Sequence, residues 1–232
     1  MSVTSKVIIA LDFNSLSEVL NFVKQISSTE CRLKVGKELF TAYGPQIIQE
    51  LHARGFEVFL DLKFHDIPNT VYKAIKVAAN LGVWMVNVHA SGGKEMLVAA
   101  KKAIEESTHK PLLIAVTLLT SLSPEAVHEI GYQRPLVEQV LYLAKLSADC
   151  GLDGVVCSAY EAKQIKEATN PDFLTVTPGI RLATNKTDDQ TRIMTPLNAI
   201  QNGADYLVIG RPITQAEEPK QVLATITQQL IA

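Results

Sequence analysis

The sequence predicts a single (β/α)8 TIM barrel, an α/β fold, on three observations. Eight short runs rich in Val, Ile, Leu and Phe recur along the 232 residues, and segments with helical periodicity separate them. Most runs are continuously apolar, which is typical of a parallel sheet covered on both faces. The eight units, of about 29 residues each, fill the chain without a linker or a change of composition. We therefore expect one domain over residues 1–232, a length that barrels of this class often have.

The predicted strands are the apolar runs themselves. In chain order they cover residues 7–11, 32–35, 57–62, 84–88, 112–117, 154–157, 173–176 and 206–209. An open, doubly wound sheet is the alternative arrangement, since a sequence pattern does not show closure. That fold usually has a glycine-rich turn after its first strand, whereas residues 12–15 (Asp-Phe-Asn-Ser) contain no glycine. The pattern favours the barrel.

The predicted helices carry start and stop signals. Residues 15–18 (Ser-Leu-Ser-Glu) form a capping-box pattern after the first strand, which places a helix N-terminus there. Apolar residues at helical spacing mark the first, fourth and fifth helices: Leu16, Val19, Leu20 and Val23; Met96, Val98, Ala99 and Ile104; Val137, Val140, Leu141 and Ala144. A glycine follows four helical segments, where a helix end needs a left-handed residue: Gly55, Gly82, Gly151 and Gly203.

Composition limits the possible partners. The chain has 22 Lys and Arg residues against 24 Asp and Glu, a formal net charge of −2, which argues against binding to nucleic acid or an anionic membrane. The most apolar uncharged stretch, residues 111–124, is too short for a membrane-spanning helix. The N-terminus lacks the pattern of a signal peptide, and we interpret Cys31, Cys150 and Cys157 as buried free thiols. These features predict a cytoplasmic protein.

Neither a metal site nor a cofactor site is predicted. The sequence contains no H-E-x-x-H or C-x-x-C pattern and no clustered pair of histidines. It also lacks the glycine-rich patterns that bind dinucleotides and nucleoside triphosphates. His65 and His89 lie near strand ends, far apart in sequence, and we interpret them as structural histidines.

Charged residues end the first three predicted strands, which is where a barrel of this class has its active site. Asp12 ends the first strand, and Lys34 lies late in the second. Asp61 and Lys63 end the third, two positions apart, so on a strand their side chains project from the same face with Cα atoms roughly 7 Å apart. Burying several ions is costly unless they are paired, so the set favours a functional site over solvated strand ends. Alternating charges would keep Lys63 an ammonium able to donate a proton.

The last two strands end in a pattern that favours an anion site. Strand 8 runs into Gly210 and Arg211, and strand 7 runs into residues 177–181 (Thr-Pro-Gly-Ile-Arg). Barrels commonly bind phosphate between these two loops, through backbone N–H groups and a paired Arg. Residues 179–190 are polar, and we interpret them as a lid that closes over a ligand, a surface loop being the alternative.

These blocks together resemble one known family. Residues 61–70 (Asp-Leu-Lys-Phe-His-Asp-Ile-Pro-Asn-Thr) are similar to the D-x-K-x-x-D signature of the orotidine 5′-phosphate decarboxylases, which catalyse the last step of UMP biosynthesis. Further blocks match that family in the same order: residues 9–12, 33–36, 87–90, 119–121, 177–181, 189–190 and 210–211. The resemblance implies a homodimeric enzyme that converts orotidine 5′-monophosphate to UMP and CO2 without a cofactor.

The resemblance also implies a role for each matching residue. Lys63 would protonate carbon 6 of the pyrimidine after CO2 leaves, and Asp61 would face the substrate carboxylate. Lys34 and Asp66 would complete the charge array, with Asp66, Ile67 and Thr70 contributed by the partner subunit. The remaining matches would bind the rest of the substrate: Asp12 and Lys34 the ribose, Thr120 and Ser121 the pyrimidine, Gln190, Gly210 and Arg211 the phosphate, with Pro178 and Arg181 closing the site.

Two other functions stay open at this point. One is a Mg²⁺-dependent phosphosugar synthase or decarboxylase, a related barrel that shares the D-x-K-x-x-D strand. Residues 33–36 and 65–70 fit the orotidine 5′-phosphate decarboxylase pattern better. The other is a barrel that binds a phosphate ligand without catalysis, against which the intact Asp61, Lys63 and Asp66 argue.

Overall fold

The eight strands form a closed barrel. The structure is a computed structural model that describes residues 5–182 and 194–231. All eight strands are parallel and lie in sequence order around the barrel. The first strand pairs with the last, with Val7 opposite Leu207 and Ile9 opposite Ile209. This pairing confirms the predicted (β/α)8 barrel and excludes the open sheet.

The strands and helices alternate along the chain. The strands are β1 Val7–Ala10, β2 Arg32–Gly36, β3 Val58–Phe64, β4 Met85–His89, β5 Leu112–Val116, β6 Gly154–Val156, β7 Leu174–Thr177 and β8 Tyr206–Ile209. The helices are α1 Leu16–Val23, α2 Lys37–Tyr43, α3 Pro45–His52, α4 Pro68–Asn80, α5 Gly93–Glu105, α6 Pro124–Glu129, α7 Leu136–Asp149, α8 Ala162–Ala168, α9 Pro196–Gln201, α10 Arg211–Thr214 and α11 Pro219–Ile231, with a 3-10 turn at Ala90–Gly92.

The helix signals in the sequence act as expected. The Ser15 hydroxyl accepts a hydrogen bond from the Glu18 N–H at 3.3 Å and so caps α1. The Glu18 carboxylate accepts from the N–H of Asn14 at 3.2 Å, one residue earlier than an ideal capping box. The four junction glycines all have positive φ, between 77° and 94°. Each therefore supplies the left-handed residue with which its helix ends.

Several details of the predicted elements are wrong. Seven of the eight strands differ from the prediction by one or two residues at an end, and Val137, on the predicted apolar face of α7, is 42% exposed. β3 continues to Phe64, although the prediction ends it at residue 62, because its last residues pair irregularly with β4. In α5 the predicted apolar face is also shifted, since Val98 is 46% exposed whereas Leu97 and Ala100 are buried. Among the described helices, none has both the length and the apolar character needed to cross a bilayer.

The core has two parts, one outside the barrel and one inside it. The larger part fills the space between the sheet and the helices. The inner part is a small apolar cluster that crosses the barrel: Ile8, Ala10, Phe59, Met85, Ile114, Val176 and Val208. Trp84 and Tyr206 pack against it at the amino ends of β4 and β8, and we call this end the floor. The opposite end, where the strands finish, is the mouth.

Candidate active site

A cavity of about 260 Å³ opens at the mouth of the barrel. Its base consists of inward apolar side chains, among them Phe59 and Val208. Its walls carry most of the site residues that the sequence predicts: Asp12, Lys34, Asp61, Lys63, Thr120, Ser121, Pro178, Arg181, Gly210 and Arg211. The volume lies just below the ~300–1,000 Å³ typical of small-molecule sites. The cavity is thus suited to one small polar ligand.

Asp61 is the centre of the charged wall. Its side chain is almost fully buried, and both carboxylate oxygens contact an ammonium group. Oδ1 lies 2.6 Å from Lys63 Nζ, and Oδ2 lies 3.1 Å from Lys34 Nζ. Burial alone would raise the pKa of Asp61, but the charges of the two lysines and the hydrogen bonds from Lys63 and Asn87 lower it to about 2. Asp61 is therefore ionised at neutral pH.

Lys34 links the buried carboxylate to the rim of the cavity. Besides Asp61, its Nζ approaches Asp12 Oδ1 at 3.9 Å. The Asp12 side chain is mostly exposed, whereas that of Lys34 is mostly buried. The charges thus alternate along one wall in the order Asp12, Lys34, Asp61, Lys63. Each ion in this row faces an opposite charge, which is the condition for keeping several ions in a partly desolvated pocket.

Lys63 has an unusual backbone. Its φ is 53°, the only positive value at a non-glycine residue in the described ranges. Leu60 pairs with Val86 and Phe64 pairs with Val88, so four steps along β3 match only two along β4. The extra residues form a bulge that contains Lys63. Left-handed backbone at such a residue costs ~1–3 kcal/mol and is concentrated at functional sites.

Asn87, a residue without a predicted role, contacts both members of the Asp61–Lys63 pair. Its Oδ1 accepts the backbone N–H of Lys63 at 2.8 Å, and its Nδ2 donates to Asp61 Oδ1 at 2.7 Å. Asn87 is fully buried in β4. One feature of the sequence could have indicated this role, because Asn87 is the lone amide within the apolar run of residues 84–88. A polar side chain buried in such a strand needs hydrogen-bond partners.

The residues assigned to a partner subunit lie away from this cavity. Asp66 and Ile67 are exposed on the connection from β3 to α4, Thr70 is exposed in the first turn of α4, and none of the three lines the cavity. Ile67 is 67% exposed, which is high for an apolar side chain. The Asp66 carboxylate accepts the N–H of Ile67 at 2.6 Å.

The predicted phosphate end lies at β7 and β8, beside the charged wall, because β8 pairs with β1. Gly210 and Arg211 lie at the start of the short helix α10, directly after β8. The N–H of Arg181 donates to the carbonyl of Met194 at 3.0 Å, and the N–H of Met194 donates to that of Gly179 at 3.2 Å. These bonds join the two chain segments that flank residues 183–193. Gln190 and most of the predicted lid lie outside the described residues.

The two histidines predicted to be structural lie side by side near the mouth. The ring centroids of His65 and His89 are 5.5 Å apart. Burial first, then the charges of His65, Lys63 and Lys37, lowers the pKa of His89 to about 4. His89 is therefore neutral at neutral pH. Within the described ranges, no three His, Cys, Asp or Glu side chains are grouped so that they could hold a metal ion.

Comparisons with known proteins agree with this geometry. The family model described as orotidine 5′-phosphate decarboxylase / HUMPS family matches residues 5–226. Two relatives named orotidine 5′-phosphate decarboxylase are similar over nearly their whole length. The protein from Tolumonas auensis is 57% identical over 97% of this chain and 98% of its own. The protein from Psychromonas ingrahamii is 55% identical over 99% of this chain and 98% of its own.

A solved structure supports the same family. The crystal structure of orotidine 5′-phosphate decarboxylase from Lactobacillus acidophilus is 40% identical and superposes with a TM-score of 0.87. The match covers 97% of this chain and 99% of that one. The predicted resemblance and the predicted enzyme class, a carboxy-lyase, are confirmed. The chain belongs to the orotidine 5′-phosphate decarboxylase / HUMPS family.

Proposed function

We propose that this enzyme converts orotidine 5′-monophosphate to UMP and CO2 in pyrimidine biosynthesis, without a metal or a cofactor. The observation that carries the proposal is the row Lys34, Asp61, Lys63 on one wall of the mouth cavity. It places an ionised carboxylate and two ammonium groups where a small anionic substrate can enter. The relatives named orotidine 5′-phosphate decarboxylase support the same reaction.

The chemistry needs a charge array of this kind. When the bond from carbon 6 to the carboxylate breaks, its electron pair stays on carbon 6, and CO2 leaves. The resulting carbanion has no adjacent carbonyl that could delocalise it, so nearby positive charge must stabilise it. In the proposed reaction the Lys63 ammonium stabilises the carbanion and then gives it a proton, which forms the new C–H bond of UMP. Before the reaction the ionised Asp61 contacts the Lys63 ammonium at 2.6 Å.

Repulsion by Asp61 contributes less than stabilisation by Lys63. Two like charges ~4 Å apart at an effective dielectric of ~20 repel by about 4 kcal/mol, or roughly three decades of rate. The largest enzymatic accelerations require more than ~20 kcal/mol. Repulsion between Asp61 and the departing carboxylate therefore cannot carry the reaction alone. Transition-state stabilisation by Lys63 is the larger contribution in this proposal.

The other residues that line the cavity bind different parts of the substrate. Asp12 and Lys34 bind the ribose hydroxyls, and Thr120 and Ser121 bind the pyrimidine edge. The phosphate is held by Gly210, Arg211 and Gln190, with Pro178 and Arg181 closing the site. Support comes from the cavity, which brings all of these together except Gln190, outside the described residues. Binding the remote phosphate supplies energy for closure around the reacting carbon.

The proposal includes a homodimer in which Asp66, Ile67 and Thr70 reach the partner's site. Support comes from their exposure and from the fact that they do not line the cavity of their own chain. The exposed Ile67 side chain gives this connection an apolar contact for a partner. Mixing inactive Lys63→Ala and Asp66→Ala proteins should restore activity in heterodimers, because one of the two sites then has both residues. No recovery after proven subunit exchange would contradict the shared site.

A Mg²⁺-dependent phosphosugar enzyme is the second candidate, because the matched family model includes the HUMPS group. The contacts of Asp61 favour the decarboxylase. Both of its oxygens already lie within 3.1 Å of an ammonium group, which opposes the approach of a divalent cation. The third possibility, a barrel that only binds a phosphate ligand, would not need the Asp61–Lys63 pair.

One assay separates these functions. Purified protein is treated exhaustively with EDTA and mixed with orotidine 5′-monophosphate, and the fall in orotate absorbance is followed. The decarboxylase predicts full activity after EDTA, and turnover that EDTA abolishes and added Mg²⁺ restores would contradict it. A phosphosugar enzyme predicts turnover of a sugar phosphate, with Mg²⁺, instead. A barrel that only binds its ligand predicts no absorbance change under either condition.

We place the enzyme in the cytoplasm and expect no nucleic-acid or membrane partner. The net charge of −2 supports the absence of a polyanion partner. Cys31 and Cys157 are buried free thiols, and Cys150 is a free thiol that is only half-buried, contrary to the prediction. Free cysteines are typical of a reducing compartment.

A further inference from the structure

Asn87 lies behind the catalytic wall and is the one buried amide that touches both Asp61 and Lys63 in the described residues. We propose that Asn87 is a positioning residue that fixes the Asp61 carboxylate relative to the backbone of Lys63. This inference rests on the proposed function, because it concerns how that pair is prepared for the reaction. It assigns Asn87 no contact with the substrate, and Asn87 does not line the cavity.

The hydrogen bonds determine which way the amide faces. The backbone N–H of Lys63 can only donate, so the atom 2.8 Å from it must be the Asn87 oxygen. The Asn87 nitrogen then faces Asp61 Oδ1, 2.7 Å away, and donates to it. Asp61 Oδ1 also accepts a hydrogen bond from Lys63 Nζ at 2.6 Å. The Asn87 amide therefore connects the backbone of Lys63 with the Asp61 carboxylate, which the side chain of Lys63 also contacts.

The bulge in β3 explains why such a side chain is needed. Between Leu60 and Phe64 the regular pairing with β4 is interrupted, and Lys63 adopts a left-handed backbone. A buried N–H that loses its strand partner must find another acceptor. Asn87 lies on β4 beside the interruption and supplies that acceptor from its side chain. The bond holds Lys63 in a conformation that a non-glycine residue rarely adopts.

The chemistry of the amide matches both tasks. A carboxamide offers an acceptor and a donor on separate atoms, whereas a carboxylate offers acceptors only and an alkyl group offers neither. A donor facing Asp61 favours the ionised form of that carboxyl, and the Asn87 hydrogen bond is among the causes that lower its pKa. The ionised Asp61 is the contact partner of the Lys63 ammonium. The amide thus serves the geometry and the protonation state of the same pair.

Two substitutions separate these tasks. Asn87→Asp keeps an acceptor for the Lys63 N–H but places a second carboxyl against Asp61. Two adjacent carboxylates cannot both ionise easily, so the acidic limb of the kcat profile should move to higher pH by about one unit or more. Asn87→Leu has a similar shape and removes both bonds. We expect its kcat to fall about 10²-fold, with a much smaller change in KM, because the phosphate and ribose contacts are untouched.

Thr175→Val is the matched control. Thr175 is also a fully buried polar residue of a strand. Its hydroxyl accepts the N–H of Asp205 at 3.3 Å and has two acceptors for its one proton, the Gly203 carbonyl at 2.9 Å and Asp205 Oδ2 at 3.1 Å. It lies on β7, away from the cavity. Its loss should lower the melting temperature while leaving kcat and its pH profile unchanged. A purely structural role of Asn87 predicts the same behaviour for the Asn87 variants.

The decisive measurements are the kcat profile against pH and an NMR titration of the Asp61 carboxyl in ¹³C-labelled protein. Support requires that wild-type Asp61 titrates well below the ordinary Asp range and that both Asn87 variants raise its pKa. An unchanged Asp61 pKa, or variants whose kcat and pH profile stay within twofold of wild type, overturns the proposal. An inactive wild type would instead overturn the proposed function, and the titration would still decide the role of Asn87.

Discussion

Two cations of β2 face the inside of the barrel, and their surroundings differ completely. Arg32 lies at the floor and Lys34 at the mouth, two positions further along the strand. The Arg32 guanidinium lies 4.2 Å from the ring centroid of Trp84 and 5.4 Å from that of Tyr206. It also donates to Glu57 at 2.7 Å and to the carbonyl of Ser5 at 2.7 Å. Aromatic rings and hydrogen bonds enclose this charge.

Lys34 has no such enclosure on its cavity side. It contacts two carboxylates, Asp61 and Asp12, and borders the mouth cavity. In barrels of this class the mouth is where active sites form, whereas the floor contributes stability. The comparison shows that burial of a cation does not identify a site. What distinguishes the mouth is a buried ion pair that borders a cavity. Substitutions at the mouth should therefore change the rate, and substitutions at the floor should change stability.

The largest effect is expected at Lys63. Lys63→Ala removes the proposed proton donor and the positive charge beside the carbanion, so kcat should fall at least about 10³-fold. UMP binding should stay close to wild type, since the phosphate wall is intact. Steady-state kinetics and calorimetry with UMP measure the two effects.

Lys101→Ala is the matched control for this prediction. The side chains of Lys63 and Lys101 are equally exposed, at 25%, and each contacts an aspartate, which for Lys101 is Asp153 at 3.5 Å. Turnover of Lys101→Ala should match wild type. Near-normal turnover of Lys63→Ala would refute its catalytic role.

The next largest effect is expected at the phosphate end, after β8. Arg211→Ala removes a charged hydrogen-bond donor proposed for the phosphate, a loss of ~1.5–3 kcal/mol or roughly 10–150-fold in kcat/KM. Because phosphate binding also drives closure, kcat should fall together with affinity. Arg54→Ala, which removes a surface arginine paired with Glu50, should leave both constants unchanged. An unaltered kcat/KM in Arg211→Ala would contradict the phosphate role.

The sequence predicted what depends on local pattern. The strand runs, the Ser15 cap and the left-handed glycines follow from residue type and spacing over a few positions. The charges at the strand ends were also visible, because parallel strands bring their carboxyl ends together. The roles of the individual site residues remain predictions that the experiments above address.

The sequence could not predict features that depend on pairing between distant strands. Asp61 and Lys63 were expected to meet by regular strand alternation, but their contact forms across a bulge with a left-handed Lys63. That bulge depends on the register against β4, and Asn87 lies 26 positions from Asp61. Arg32 was overlooked for the same reason, since Trp84 and Tyr206 come from strands far along the chain.

The floor should show an effect on stability rather than on rate. Arg32→Met removes the ring contacts and the hydrogen bonds to Glu57 and Ser5, and should lower the free energy of unfolding by about 1–3 kcal/mol. Glu57 is partly exposed, so water can solvate its released carboxylate and limit the loss. We expect kcat/KM to stay at the wild-type value. Lys34→Met, two positions away, should show the reverse pattern, with a lower kcat/KM and a nearly unchanged free energy of unfolding. Urea unfolding and steady-state kinetics on both proteins measure the two quantities. A large loss of both in either variant would contradict the contrast.

The smallest effect is expected from acid titration at the mouth. The pKa of His89 is lowered from 6.5 to about 4, so the unfolded chain binds a proton in this pH window that the folded protein does not. The resulting stability is fully present above pH 6.5 and is lost as the pH falls to about 4. Asp61, with its pKa lowered from 3.8 to about 2, adds a second loss between these values.

Melting temperatures from pH 7.5 to 4 measure the first of these two losses. His89→Gln keeps a polar side chain of similar size without a titrating group, so its melting temperature should fall less steeply over this range. Arg32→Met should retain the wild-type slope, because it changes the floor and leaves His89 in place. Equal slopes for wild type and His89→Gln would show that acid sensitivity arises away from the mouth. The contrast between the two ends of the barrel would then hold for rate and for stability but not for titration.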